Sequence, residues 1–253
     1  MNVEVKMRAP FLTVPDFGSS GKIIHAFTTR RNGLGARNNG IKQVDDWRDV
    51  AASFGIGLEK LVTVNQVHGD EIVRISEMPH SAGGYQKVQA DGIITDLPGL
   101  AVGVETADCV PVLLYDPRRP VVAAVHAGWR SSLKRIVQKA VVMMRTHYDC
   151  DPHGMMAAIG PAIGPECYEV DEAVMGPLQE EFAVWKKIAS QRPNGRWSLD
   201  LVHLNRIQLA ETGFSQKNIH ALGLCTSCRR DLFYSFRTEG RTGRMLSVIM
   251  LKP

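Results

Sequence analysis

The sequence predicts an α+β fold, a single domain over residues 1–253 in which mixed β-sheets are flanked by helices. Three observations lead there. Short β-branched runs bounded by Gly, Pro and Asp recur from Phe11 to Leu251. Amphipathic helical stripes fall between them without a regular strand–helix alternation, and no repeat, low-complexity tract or linker divides the chain. With 253 residues, 44% of them hydrophobic and 22% charged, the chain can bury two packed sheets with helices outside.

The first elements are FLTV (11–14), a loop at Asp16 to Gly21, and KIIHAFTT (22–29), which ends at Arg30-Arg31. The Gly- and Asn-rich NGLGARNNG (32–40) reads as loop, and Asp45 to Phe54 as a short helix ending before Gly55 and Gly57. LVTVNQVHGDEIVRI (61–75) alternates and then turns at Gly69-Asp70, placing Gln66 and His68 on one strand face. A polar loop from Pro79 to Gln89 precedes ADGIITD (90–96), and a Pro98-Gly99 turn leads into a strand from Leu100 to Glu105.

Next come two apolar runs, VPVLLY and VVAAV, joined by DPRRP. Asp116-Pro117 suits the start of a type I turn. With the turn centred between Pro117 and Arg118, Cys109 and His126 face each other across the hairpin, with Cα atoms about 5 Å apart. Gly128 permits a sharp exit, and Ser131 or Ser132 can cap a helix whose stripe is Leu133, Ile136, Val137, Ala140, Val141 and Met144. Beyond it lie a strand from Met155 to Ile159, the loop GPAIGP (160–165) and a helix around Glu172 to Ile188. An Asn194-Gly195 turn, a helix from Leu199 to Thr212 stopped by Gly213, a strand from Ile219 to Leu224 and a last strand from Leu246 to Leu251 complete the chain.

Composition excludes several classes. The formal charge of +4, 30 basic against 26 acidic residues, is too small and too dispersed for nucleic acid. No apolar run reaches the roughly 20 residues of a membrane span, and charges occupy the place of a signal peptide. Five cysteines suit a reducing cytoplasm rather than a disulfide framework.

Cys109 or His126 alone reads as an ordinary core residue; as a pair flanked by Asp108 and Trp129 they read as a site. With His68, at another strand end, two imidazoles and a thiolate form a tetrahedral zinc set with one position open for water or substrate. Asp108, Asp91 or Glu105 can orient its histidines. The same pair also suits a Cys109 nucleophile with His126 as its base, and the triple suits copper lacking its axial ligand. A four-copper oxidase needs about ten histidines, and the chain has eight. Cys225-x-x-Cys228 finds no further ligand nearby in sequence and reads as structural or incidental. A non-catalytic interaction protein with a structural zinc is the reading of a different class.

NQVHGDEI (65–72), ADGIITD (90–96), TADCVPVLLYD (106–116), HAGWR (126–130), AIGPAIGPECYEV (158–170) and CTSCRRDLFYSFRTEGRTGRM (225–245) resemble the YfiH-type laccase-domain, polyphenol-oxidase-like family. HAFTTR (25–30) is similar to that family's opening motif. The resemblance implies zinc held by His68, Cys109 and His126, and phosphorolysis of adenosine, inosine, guanosine and methylthioadenosine. It also implies adenosine deamination as a second activity, and a fold akin to a Cys/His toxin deamidase. On that reading Asp108 shuttles protons, Arg30 and Arg130 hold phosphate at strand ends, and Gln66 contacts substrate. The expected partners are purine nucleosides and phosphate, on a cytoplasmic monomer or small homo-oligomer.

Overall fold

The computed structural model describes residues 6–8, 11–31, 47–81 and 83–253. The expected 32–40 loop, and the first two residues of the helix expected over Asp45 to Phe54, lie outside the described residues. Of that helix, Arg48–Ser53 (α1) is observed.

Two six-stranded sheets carry the fold. The first runs β1 (Lys6–Arg8), β2 (Phe11–Thr13), β3 (Ile23–Thr28), β15 (Met245–Leu251), β7 (Ala101–Thr106), β4 (Leu61–Val62) in space. The second runs β14 (Ile219–Ala221), β10 (Met156–Ile159), β8 (Val110–Asp116), β9 (Val121–Ala127), β6 (Gly92–Thr95), β5 (Ile72–Ile75). Both are mixed: β4 on β7, β10 on β14 and β5 on β6 are parallel, and the other pairs are antiparallel.

Strand alternation explains the layers. On β8 and β9, Leu113, Tyr115, Val122 and Ala124 point into a core shared with Phe27, Val102 and Ile249 of the first sheet. Their neighbours Val112, Leu114, Ala123 and Val125 point the other way, against α3 (Ile136–Tyr148) and α6 (Leu201–Glu211). Across the first sheet, Leu246, Val248 and Met250 pack on Trp47 and Val50 of the α1 region. The result is a single α+β domain in which central strands are buried on both faces, so they read as continuous apolar runs. Truncating one such side chain, Leu113→Ala for instance, costs about 2–5 kcal/mol. Among the described residues no helix is long and apolar enough to cross a membrane.

The structure departs from the sequence reading at several points. The β8–β9 loop holds four residues, 117–120, so Pro111, not Cys109, lies opposite His126. Asp116 Oδ1 accepts from the backbone N–H groups of Arg118 and Arg119, which fixes this wider turn. The shift is two residues, and an even shift leaves every side chain on its expected face. The helix after Gly128 is two: α2 (Trp129–Leu133) and α3, separated at Arg135 with φ 60°. Neither serine caps it. Ser132 Oγ instead accepts from Asn205 Nδ2, and its carbonyl accepts from Gln208, tying α2 to α6.

The span from Glu172 to Ile188 also breaks, into α4 (Glu172–Glu181) and α5 (Trp185–Ile188), with Phe182 buried between them. The Asn194-Gly195 turn joins β12 (Ala189–Gln191) to β13 (Trp197–Leu199), which pairs with β11 (Glu169–Val170) in a small third sheet. α6 starts at Asp200, whose side chain accepts from His203 N, and stops where Gly213 takes φ 99°. The expected strand through 65–68 shrinks to one bridge, Asn65 with Gln89.

Candidate active site

The ends of β8 and β9 and two loops converge on one spot. His68, Cys109 and His126 bring their ligand atoms within 4.8 Å of one another. The two imidazoles meet edge-on at 4.9 Å between ring centres. Cys109 precedes β8 and His126 is the penultimate residue of β9, so the central sheet positions both.

His68 comes from a loop, and Asp91, beside β6, holds that loop. Asp91 Oδ2 accepts from Gly69 N at 2.7 Å and from Val67 N at 3.2 Å; Oδ1 accepts from His68 N at 3.0 Å. His126 Nδ1 donates to the same Oδ1 at 2.7 Å, so Nε2 is left for the Cys109 side. One fully buried carboxylate therefore places one histidine's backbone and the other's ring. Of the three carboxylates expected to orient a histidine, Asp91 bonds the His126 ring, while Asp108 is engaged by Thr226 and the Arg237 backbone.

Two backbone outliers flank the site. His68 has φ 58° and Asp108 φ 92°, in a region costly for non-glycine residues, about 1–3 kcal/mol each. The Asp91 bonds hold the first. For the second, Asp108 Oδ1 accepts from Thr226 Oγ1 at 2.6 Å and Oδ2 from Arg237 N at 2.7 Å, while Ile163 N binds its carbonyl.

The electrostatics favour an ionised pair. Burial raises the Cys109 thiol, but the charge of His126 and hydrogen bonds from His126 and His68 prevail, bringing it down to about 6. Burial lowers His126, but the Cys109 charge and the Asp91 bond carry it up to about 9. Thiolate is the form that both ligates metals and attacks electrophiles. Gly128 completes the fit: a Cβ there would stand 3.1 Å from Cys109 Sγ and 3.3 Å from His68 Cδ2. Two imidazole nitrogens and a thiolate, with clear space beside them, suit a tetrahedral zinc or a copper ion.

These groups line a cavity of about 700 Å³ together with Trp129, Arg130, Tyr168, Phe236, Arg237 and Arg244. Arg130 is exposed and lies over the Trp129 ring at 4.3 Å. Arg237 lies over Tyr168 and donates to the Glu169 carbonyl. Burial, then the Cys109 charge, push the Tyr168 phenol up to about 12, so it stays a donor.

Of the residues expected to bind substrate, Arg130 and Gln66 line this cavity, but the Gln66 amide is committed at both ends to the backbone of Glu105. Arg30 is not among the lining residues. It lies over Tyr234 and donates to Glu239 and the Arg230 carbonyl. Arg237, Arg244 and Tyr168 escaped sequence reasoning, although all three lie in the motif segments 158–170 and 225–245; nothing local distinguishes a cavity arginine from a solvated one. The second cysteine motif also gains a partner: Cys167 joins Cys225 and Cys228, all three sulfurs lying within 4.8 Å.

Comparison with known proteins agrees with the motifs. A family described as multi-copper polyphenol oxidoreductase laccase matches residues 24–252. The purine nucleoside phosphorylase YlmD of Bacillus subtilis (strain 168) is 32% identical over 248 residues, covering 91% of this chain and 89% of that protein. Adenosine deaminase RL5, from an unknown prokaryotic organism, is 30% identical over 94% of this chain and 97% of its own length. The crystal structure of the hypothetical protein YfiH of Bacillus licheniformis superposes with a TM-score of 0.89 at 31% identity, covering 98% of this chain and 99% of that one. Matched from near its start to near its end, in sequence and in fold, the chain belongs to the laccase-domain family that YfiH and YlmD represent.

Proposed function

We propose that the His68, Cys109 and His126 centre holds zinc and that the protein is a purine nucleoside phosphorylase with hydrolytic adenosine deamination as a second activity. Its substrates are adenosine, inosine, guanosine, methylthioadenosine and phosphate. The observation that carries this reading is an open two-imidazole, one-thiolate centre in the same cavity as three arginines and three aromatic side chains. The phosphorylase and deaminase names of its relatives support it. The reading places the enzyme in the cytoplasm as a monomer or small homo-oligomer, on a scaffold like that of Cys/His toxin deamidases.

Phosphorolysis replaces the bond from the sugar's anomeric carbon to the base with one to a phosphate oxygen, releasing free base and sugar 1-phosphate. Arg130, Arg237 and Arg244 supply the cationic donors that hold a phosphate dianion against that carbon. Trp129, Tyr168 and Phe236 offer ring faces to the purine. When bound, zinc supplies a Lewis acid beside the base and an activated water for deamination. Asp91 keeps a proton on His126 Nδ1 and so keeps Nε2 a ligand.

The carboxylate that moves protons is Glu105, which is buried and lines the cavity. Asp108, the residue expected for that task, has both oxygens occupied and positions Arg237 and Thr226 instead. A second reading, with Cys109 as nucleophile and His126 as base, is favoured by the lowered thiol. It requires activity that survives metal removal. The deciding experiment incubates zinc-loaded protein with the four nucleosides, with and without phosphate, and separates bases from sugar phosphates by chromatography. Hypoxanthine and ribose 1-phosphate from inosine, released only with phosphate, are the expected products. A folded, zinc-loaded protein inert toward all four substrates would falsify the proposal.

A further inference from the structure

We propose that Cys167, Cys225 and Cys228 form a second metal site, a three-thiolate site for Zn²⁺ separate from the His68, Cys109 and His126 centre. The three sulfurs lie within 4.8 Å of one another, and Cys167 Sγ is 3.3 Å from Cys228 Sγ although 61 residues separate them in sequence. Tetrahedral zinc with Zn–S bonds of about 2.3 Å holds its sulfurs about 3.8 Å apart, which this cluster meets with small side-chain rotations.

The backbone around Cys225 is arranged for a thiolate. Its sulfur accepts a hydrogen bond from Gly164 N at 3.2 Å, across 61 residues of sequence. A backbone N–H aimed at the sulfur stabilises negative charge there. Glycine at 164 eases this approach, since a Cβ would stand 3.3 Å from Cys225 Cβ and 3.4 Å from its sulfur. Ala162 and Cys225 share a parallel bridge that holds the two segments in register.

A disulfide accounts for the cluster less well. Any pair that closes leaves the third thiol against the bridge, whereas a metal engages all three sulfurs. Binding forms three Zn–S bonds, releases three thiol protons and changes no oxidation state. Cys228 is exposed, so the fourth position opens to water. The ion would fasten two segments that serve the cavity. Cys167 adjoins Tyr168, and Cys225 adjoins Thr226, which holds Asp108.

The inference does not depend on what the other centre catalyses. Its test is the zinc content of protein purified under reducing conditions, measured by mass spectrometry of the metal. We expect about two zinc ions per chain in the wild type, about one in Cys228→Ser, about one in His68→Ala and none in the double variant. Circular dichroism checks that the exposed Cys228→Ser folds. For the wild type alone, titration with a mercurial thiol reagent should release zinc in two separable steps. Wild-type protein with no more zinc than Cys228→Ser, copper in place of the second zinc, or a mapped disulfide within the cluster would each overturn the proposal.

Discussion

The two cysteine-containing clusters are built on different scaffolds. Cys109 and His126 stand at the ends of strands buried on both faces, and one carboxylate, Asp91, locks the third member and orients one imidazole. Cys167, Cys225 and Cys228 come from loops at the surface, where the Gly164 backbone N–H bonds the Cys225 sulfur. The first opens into a cavity with charged and aromatic walls; the second adjoins a recess of about 290 Å³. A rigid sheet that carries two ligands and a buried orienting group suits chemistry, where geometry must hold through a reaction. A loop cluster suits fastening, where the ion itself supplies the rigidity.

The largest effect expected from breaking this contrast is at Cys109. Cys109→Ser removes the thiolate from the sheet-borne set and should lower both phosphorolysis and deamination roughly 10³-fold, while Cys228→Ser leaves turnover within a few-fold. Steady-state kinetics on matched, zinc-equilibrated samples make the comparison. Equal losses in both would mean that the clusters do not divide their labour as described.

Glu105→Gln should cost deamination roughly 10²-fold, the scale of a lost proton carrier. Asp108→Asn keeps one acceptor oxygen for the Arg237 N–H and turns its amide NH2 toward the Thr226 hydroxyl, which can accept, so it should cost less. The opposite ranking would return the proton-carrying role to Asp108.

Asp91→Asn retains the shape of the side chain but loses the charge facing His126. Metal affinity should fall about 10–100-fold, read by competition with a chromogenic chelator, with little change at the loop cluster.

The smallest effect separates two arginines. Arg130→Ala should raise the KM for phosphate about tenfold, whereas Arg30→Ala, whose guanidinium binds Glu239 and the Arg230 carbonyl, should leave it unchanged. A phosphate KM that responds to Arg30 alone would contradict that placement.

The same contrast explains what could be read in the sequence. The strand-borne ligands were legible because side-chain direction alternates with period two. A hairpin register wrong by two residues still put Cys109 and His126 on one face. His68 was legible as a residue beside a turn, though not its left-handed backbone, which depends on bonds to Asp91, 23 residues away. The thiol of Cys167 was not legible as a partner of Cys228, because proximity across 61 residues is a property of loop packing with no periodic trace. Helix breaks were equally hidden. Arg135 turns left-handed with no glycine to mark it, held by Glu181 and Glu211 from distant helices. Arg30 sits at a strand end as expected, but the tail folds over it and claims its guanidinium.

The central claim is that a metal at His68, Cys109 and His126 serves nucleoside chemistry. It is tested most directly by following inosine in four reactions, with and without zinc and with and without phosphate, using one chelator-treated, refoldable preparation. Hypoxanthine with ribose 1-phosphate should appear only where zinc and phosphate are both present. Undiminished turnover in the chelated protein would contradict the account and favour Cys109 as a nucleophile.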